Sequence, residues 1–149
     1  VVRVRTLALV VSVGLLAIPV ASAARSDSPT ATKRVVRAWS ARLNAYDNAG
    51  VARLFARPAV IVQGGSALRL ETRAQIALWH RLLPCAGRIV SIDVDGELAT
   101  AVFRLANGKH RHCDAPGQKA AAVFRVRHGK ILAWAQVPVP PPAASGPTA

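Results

Sequence analysis

Acidic residues are scarce in this sequence. Seven Asp and Glu stand against 20 Lys and Arg in 149 residues, a formal charge of +13. Only two cysteines are present, aromatic residues make up 5%, and there is no internal repeat. The 16 Arg and 4 Lys contain no block of five, and aromatic residues are not interleaved with them. That argues against a specific nucleic-acid role of the single-strand type, which needs stacking platforms along a basic groove. The one long hydrophobic run, residues 7–20, is too short for a comfortable membrane span, and no second stretch is long enough. An apolar content of 52% argues against long disorder, and the length suits one domain.

The N-terminus carries the clearest signal. Arg3 and Arg5 precede an apolar run from Leu7 to Val20, broken by Ser12, Gly14 and Pro19. Ala21-Ser22-Ala23 then supplies small residues for a signal peptidase. The expectation is a secretory signal peptide over 1–23, with an uncleaved anchor as the alternative. Removing it takes away Arg3 and Arg5 and lowers the charge to +11. The remaining chain is expected to be soluble and secreted or held in the cell envelope. Residues 24–32 read as a linker, 33–138 as one folded domain, and 139–149 as a disordered Pro-rich tail.

Export places Cys85 and Cys113 in an oxidising space, where a pair of cysteines signals a disulfide. His110 and His112 flank Cys113, so metal binding is the alternative, but the spacing matches no standard zinc pattern. No metal and no cofactor is expected.

Val35, Val36, Trp39, Leu43 and Tyr46 follow helical spacing, with Thr30 or Thr32 as cap. Asp47 caps a short second helix through Val51, Leu54 and Phe55, which Pro58 ends. Ala59 to Val62 reads as a buried strand, and Gln63-Gly64-Gly65 as a turn. Thr72 caps a third helix, with Ile76, Trp79, His80 and Leu83 on one face and Pro84 as its stop. Four strands follow. In the first, Val90, Ile92 and Val94 face one way and Ser91 and Asp93 the other. Asp95-Gly96, a polar loop over 107–117 and His128-Gly129 separate the strands. Helices before a meander predict an α+β fold, with helices on one face of a curved sheet.

This pattern resembles the nuclear transport factor 2-like superfamily, in its SnoaL-like and ketosteroid-isomerase-like branch. The segments that carry the likeness are VVRAWSARLNAYDNAGVARLFARPAVIV (35–62), ETRAQIALWHRL (71–82) and AVFRVRHGKILAWAQVP (122–138). The resemblance implies a cone: about three N-terminal helices packed on a strongly curved, mostly antiparallel sheet around an apolar pocket. The Cys85/Cys113 pair looks like a variation of secreted members. Dimerisation through the sheet is also implied.

The isomerase pattern needs a carboxylate base at the end of the first strand, and Gln63 stands there. An amide cannot take a proton from a carbon acid. Trp39 stands where the isomerases carry a tyrosine, and the two-Asp epoxide-hydrolase pattern is absent. His80 is the candidate acid–base group, or else a satisfied histidine at the edge of its helix face. Trp39, Tyr46, Gln63, Trp79, Trp134 and Gln136 are the candidate pocket residues, with core aromatics as the plainer account of the tryptophans. Gln136 points either to the pocket or across a dimer interface. Tyr46 and Asp47 form a pocket-mouth pair, or Asp47 is simply a cap. The expected partner is a small apolar molecule or a protein bound without catalysis. A SnoaL-like lyase, isomerase or hydrolase using His80 is the alternative, and a basic adaptor on an anionic envelope surface the second.

Overall fold

The computed structural model describes residues 27–141. The expected signal peptide (1–23), the start of the linker and the end of the tail lie outside them.

Helix α1 (Pro29–Asn44) begins inside the stretch read as a linker. Ser28, not Thr30 or Thr32, is the cap, and its hydroxyl accepts from Ala31 N at 3.2 Å. Pro29 follows in the first turn, where its fixed φ suits a helix and its missing N–H costs nothing. Val36, Trp39 and Ser40 are buried, while Arg34 and Arg37 are exposed. Tyr46 lies past the end of α1 with φ 61°, so the helical stripe stops before it. Asp47 caps α2 (Asn48–Leu54) by accepting from Gly50 N at 2.8 Å, and pairs with Arg42 at 2.7 Å. A Cβ on Gly50 would collide with that carboxylate.

Strand β1 (Phe55–Gln63) starts where α2 was expected to continue. Pro58 lies within β1, in the part where its register with the neighbouring strand shifts between Phe55 and Val60, so a missing N–H is tolerated. Gly64 and Gly65, both with positive φ, turn β1 into β2 (Ser66–Leu70). The sequence alone predicts no strand there. Four of the five β2 residues are exposed, so no alternating pattern marks it. Helix α3 (Arg73–Leu82) opens with a Thr72/Gln75 capping box and stops before Pro84, as expected.

The last four strands are β3 (Cys85–Asp95), β4 (Leu98–Asn107), β5 (Lys119–Arg127) and β6 (Lys130–Val137). They form the expected meander. A bulge between Ile89 and Ser91 moves Val90 out of the expected row, leaving it 49% exposed, while Ile92 is buried. The sheet runs β2-β1-β6-β5-β4-β3. Only β1 and β6 are parallel. This six-stranded mixed sheet is not closed, and three helices pack on it, giving the expected α+β cone.

The core fills the inner face. Phe124, Ile61, Ile76, Ile131, Val36 and Val126 are fully buried there. Towards the open end, Asn44 bonds both backbone groups of Gly87, at 2.8 and 3.0 Å, and ties α1 to the edge strand. Cys85 and Cys113 are joined in a disulfide across 28 residues of chain. It ties the start of β3 to the loop between β4 and β5. Arg111 Nη1 donates to Leu82 O at 3.1 Å beside it.

Replacing both cysteines by serine is expected to lower the unfolding free energy by about 3–4 kcal/mol in the chain-entropy model. Urea denaturation at neutral pH measures it. A loss under about 1 kcal/mol would show that the loop's hydrogen bonds hold it without the cross-link.

Candidate functional site

Strand alternation sets which side chains face the helices. Phe103 lies opposite Ile89 on one side and Ala120 on the other. Ala122 lies opposite Ala101 and Gln136, and Phe124 opposite Trp134. Where large residues meet α1, the core is full. Where alanines line β5, space remains, and a cavity of about 420 Å³ opens at that end. This volume lies within the range of small-molecule pockets.

Trp39, Phe103 and Trp134 form its apolar floor. The ring centroids of Trp39 lie 5.7 Å from Phe103 and 6.5 Å from Trp134. Leu83, Pro84 and Cys85 form one side of the rim, and Asp114, Ala115 and Gln118 of the β4–β5 loop another. Gln63 and Gln136 complete it. The parallel register Val62↔Ala135 sets these two glutamines side by side. Trp134 Nε1 is buried with no hydrogen-bond partner among the described residues. An unmet buried donor is costly, and a ligand acceptor would relieve it.

The cavity thus gathers Trp39, Gln63, Trp134 and Gln136 from the candidate pocket residues. It does not gather the other two. Trp79 packs behind, with its ring centroid 5.1 Å from Trp134. Tyr46 lies on a separate surface groove with Asp47 and Arg81, its ring 4.6 Å from that of His110. The left-handed backbone at Tyr46 takes it off the inner face of α1. Phe103, Leu83, Ala122 and Gln118 were not foreseen. Their signal was the two-residue alternation of β4 and β5, which marks Phe103 and Ala122 as inward.

His80 is not among the residues that line the cavity, and its surroundings are those of the satisfied histidine. It is 2% exposed, and both ring nitrogens are engaged. Nε2 accepts from Trp39 Nε1 at 2.9 Å, and Nδ1 lies 2.8 Å from Ile76 O, to which it donates as the neutral tautomer. Burial pushes its pKa down to about 4, against the pull of the Ile76 carbonyl. The ionisable residues that border the cavity, Asp114 and Lys119, are both exposed, and the alternation of β5 turns the Lys119 side chain to the outer face of the sheet. The disulfide occupies both sulfurs, so neither Cys85 nor Cys113 offers a thiolate to a metal. Asp114 Oδ1 lies 3.3 Å from Cys85 Sγ, a contact without a proton to share.

The lowered pKa of His80 makes stability pH-dependent. The unfolded chain binds this proton near pH 6.5 and the folded chain near 4, so stability is complete above 6.5 and falls as pH drops towards 4. His80 alone is expected to cost roughly 2 kcal/mol between pH 7 and 5. Urea titrations of wild type and His80→Gln at both pH values test it. An equal loss in both proteins would contradict the assignment.

No protein-family model matches the chain, and no curated protein does. Solved structures do. An NTF2-like protein of unknown function from Cytophaga hutchinsonii superposes with a TM-score of 0.58 at 8% identity, covering 71% of this chain and 88% of its own. A candidate ketosteroid isomerase from Kribbella flavida gives 0.60 at 18%, covering 80% and 88%. A de novo designed protein with a curved β-sheet gives 0.61 at 15%, covering 74% and 86%. At such identities the likeness concerns the fold, and on that ground, together with the helix order, the open mixed sheet and the cavity at its end, the chain has the NTF2-like fold.

Proposed function

We propose that this domain is exported and binds a small, mainly apolar ligand in its cavity without transforming it. The observation that carries the reading is the lining itself. Trp39, Phe103 and Trp134 offer apolar surface, Gln63, Gln118 and Gln136 offer neutral amides, and the ionisable residues that border the cavity, Asp114 and Lys119, are exposed. General acid–base chemistry needs a titratable group within hydrogen-bond reach of the reacting atom. Gln63 stands at the end of β1 where the resemblance would put a base. Solved structures of similar fold include the candidate ketosteroid isomerase and a candidate polyketide cyclase, which supports a ligand-sized cavity as the working part. The basic run before Leu7, the small residues at Ala21-Ser22-Ala23 and the disulfide support export.

Ala120→Phe tests the cavity reading. Ala120 is half-buried on the cavity wall, so a phenyl ring there takes up ligand space. Titration with the dye 1-anilinonaphthalene-8-sulfonate, followed by tryptophan quenching, is expected to saturate with wild type. The variant is expected to bind at least about tenfold more weakly, equivalent to about 1.4 kcal/mol. No saturable binding by wild type, or equal binding by a folded variant, would end the reading.

Export has its own check. Protein recovered from outside the producing cytoplasm is expected to begin at Ala24 on N-terminal sequencing. Recovery with residues 1–23 still attached would overturn cleavage.

A further inference from the structure

On the outer face of the sheet, the register places three cations in one row. Arg88 lies directly opposite Arg104, and Arg104 directly opposite Lys119. The adjoining row, Ile89–Phe103–Ala120, faces the helices, so alternation puts the three cations on the other side. All three are exposed. Neighbouring strands are about 4.8 Å apart, which makes the row a ladder of positive charge about 10 Å long.

Like charges directly opposite on adjacent strands repel, and a sheet normally breaks up such pairs. This sheet neutralises its other outward arginines on β5. Glu97 binds Arg125 at 3.2 Å and Arg127 at 2.6 Å. Among the described residues, no carboxylate lies within ion-pair distance of Arg88, Arg104 or Lys119. Arg104 spends one N–H on Gly117 O at 3.0 Å and keeps its charge. Lys109 and Arg111, in the loop that follows β4, extend the same basic end.

We propose that the Arg88–Arg104–Lys119 ladder is a contact surface for a linear polyanion whose charged groups lie along one flexible backbone. A row of charges across strands matches a row of charges along a chain. A second copy of this domain would bring the same sign. A bilayer fits less well, because Val90 at the bulge is the one exposed valine beside the row and the next residues, Ser91, Val102 and Ala121, are half-buried or buried, which leaves little apolar surface to insert.

Fluorescently labelled linear polyphosphate is the probe. Wild-type binding is expected to weaken with salt along a slope of about −2 or steeper in log K against log salt, the value for three contacts to a flexible strand. The triple variant Arg88→Gln/Arg104→Gln/Lys119→Gln is expected to bind about tenfold or more weakly at about 50 mM salt, with a flatter slope. Arg34→Gln/Arg37→Gln/Arg53→Gln removes the same charge from exposed positions elsewhere and is the control. Equal loss in the control would show that net charge alone binds, and would overturn the proposal. So would salt-independent binding, an unaffected ladder variant, or tighter binding to phosphatidylglycerol vesicles than to polyphosphate. Circular dichroism confirms that both variants fold.

Discussion

The buried bond from Trp39 Nε1 to His80 Nε2 joins two helices whose residues lie 41 apart in sequence. It sits where these helices meet the aromatic core on the sheet. Trp39 sits at the centre of an aromatic cluster, with its ring 5.0 Å from Phe124, 5.7 Å from Phe103 and 6.0 Å from His80. Those partners come from β4, β5 and α3. A neutral hydrogen bond adds only about 1 kcal/mol net, but its loss would strand a donor and an acceptor out of water at about 1–3 kcal/mol. The bond therefore fixes geometry more than it stabilises. It requires the neutral ring of His80, and the low pKa that burial imposes keeps the ring in that form through the neutral range.

The same bond divides the inside of the cone. With the Trp39 indole N–H turned to His80, the ring's remaining surface serves as the cavity floor. Behind it the space is filled by Phe124, Ile76 and Val36, whereas on the cavity side β5 contributes only the alanines Ala120, Ala121 and Ala122. A domain of this size could bury more apolar surface by placing larger residues at those alanines. Leaving them small costs packing free energy in the way any cavity does. The disulfide and the Asn44–Gly87 pair lie at this under-packed end, where they hold the rim with covalent and polar contacts instead.

What the sequence disclosed and what it hid divide along the same physical line. Local rules worked where local physics decided: Asp47 and Thr72 cap their helices, Pro84 stops α3, and the period of two placed Phe124 and Val126 inward. They failed where the outcome depends on distant chain. β2 exists because β1 offers it an edge through the Gly64-Gly65 turn, not because Ser66–Leu70 alternates. Val90 leaves its row because β4 opposes it across a bulge. His80 was correctly placed on the inner face of α3, yet whether that face meets cavity or core is settled by Trp39. Gln63 and Gln136 each stood out singly, but only the parallel pairing of β1 with β6 makes them neighbours.

The scarcity of carboxylates takes on a structural meaning. Of the seven, Asp27 accepts from Gly129 N at the β5–β6 turn, Asp47 caps α2 and holds Arg42, Glu71 pairs with Arg69, and Glu97 gathers Arg125 and Arg127. Arg127 and Arg125, by hydrogen bonding to it, hold Glu97 below the usual carboxylate range, and the Gly50 N–H and Arg42 do the same for Asp47. The other three, Asp93 and Asp95 on β3 and Asp114 in the β4–β5 loop, make no ion pair among the described residues, and none of the seven pairs with Arg88, Arg104 or Lys119. Exposed arginines without an ion pair also stand on the helices, as Arg34, Arg37, Arg53 and Arg73 do. On the sheet itself, where Glu97 serves Arg125 and Arg127 and no carboxylate pairs with Arg88, Arg104 or Lys119, the difference between the two places follows from where the few acids are used.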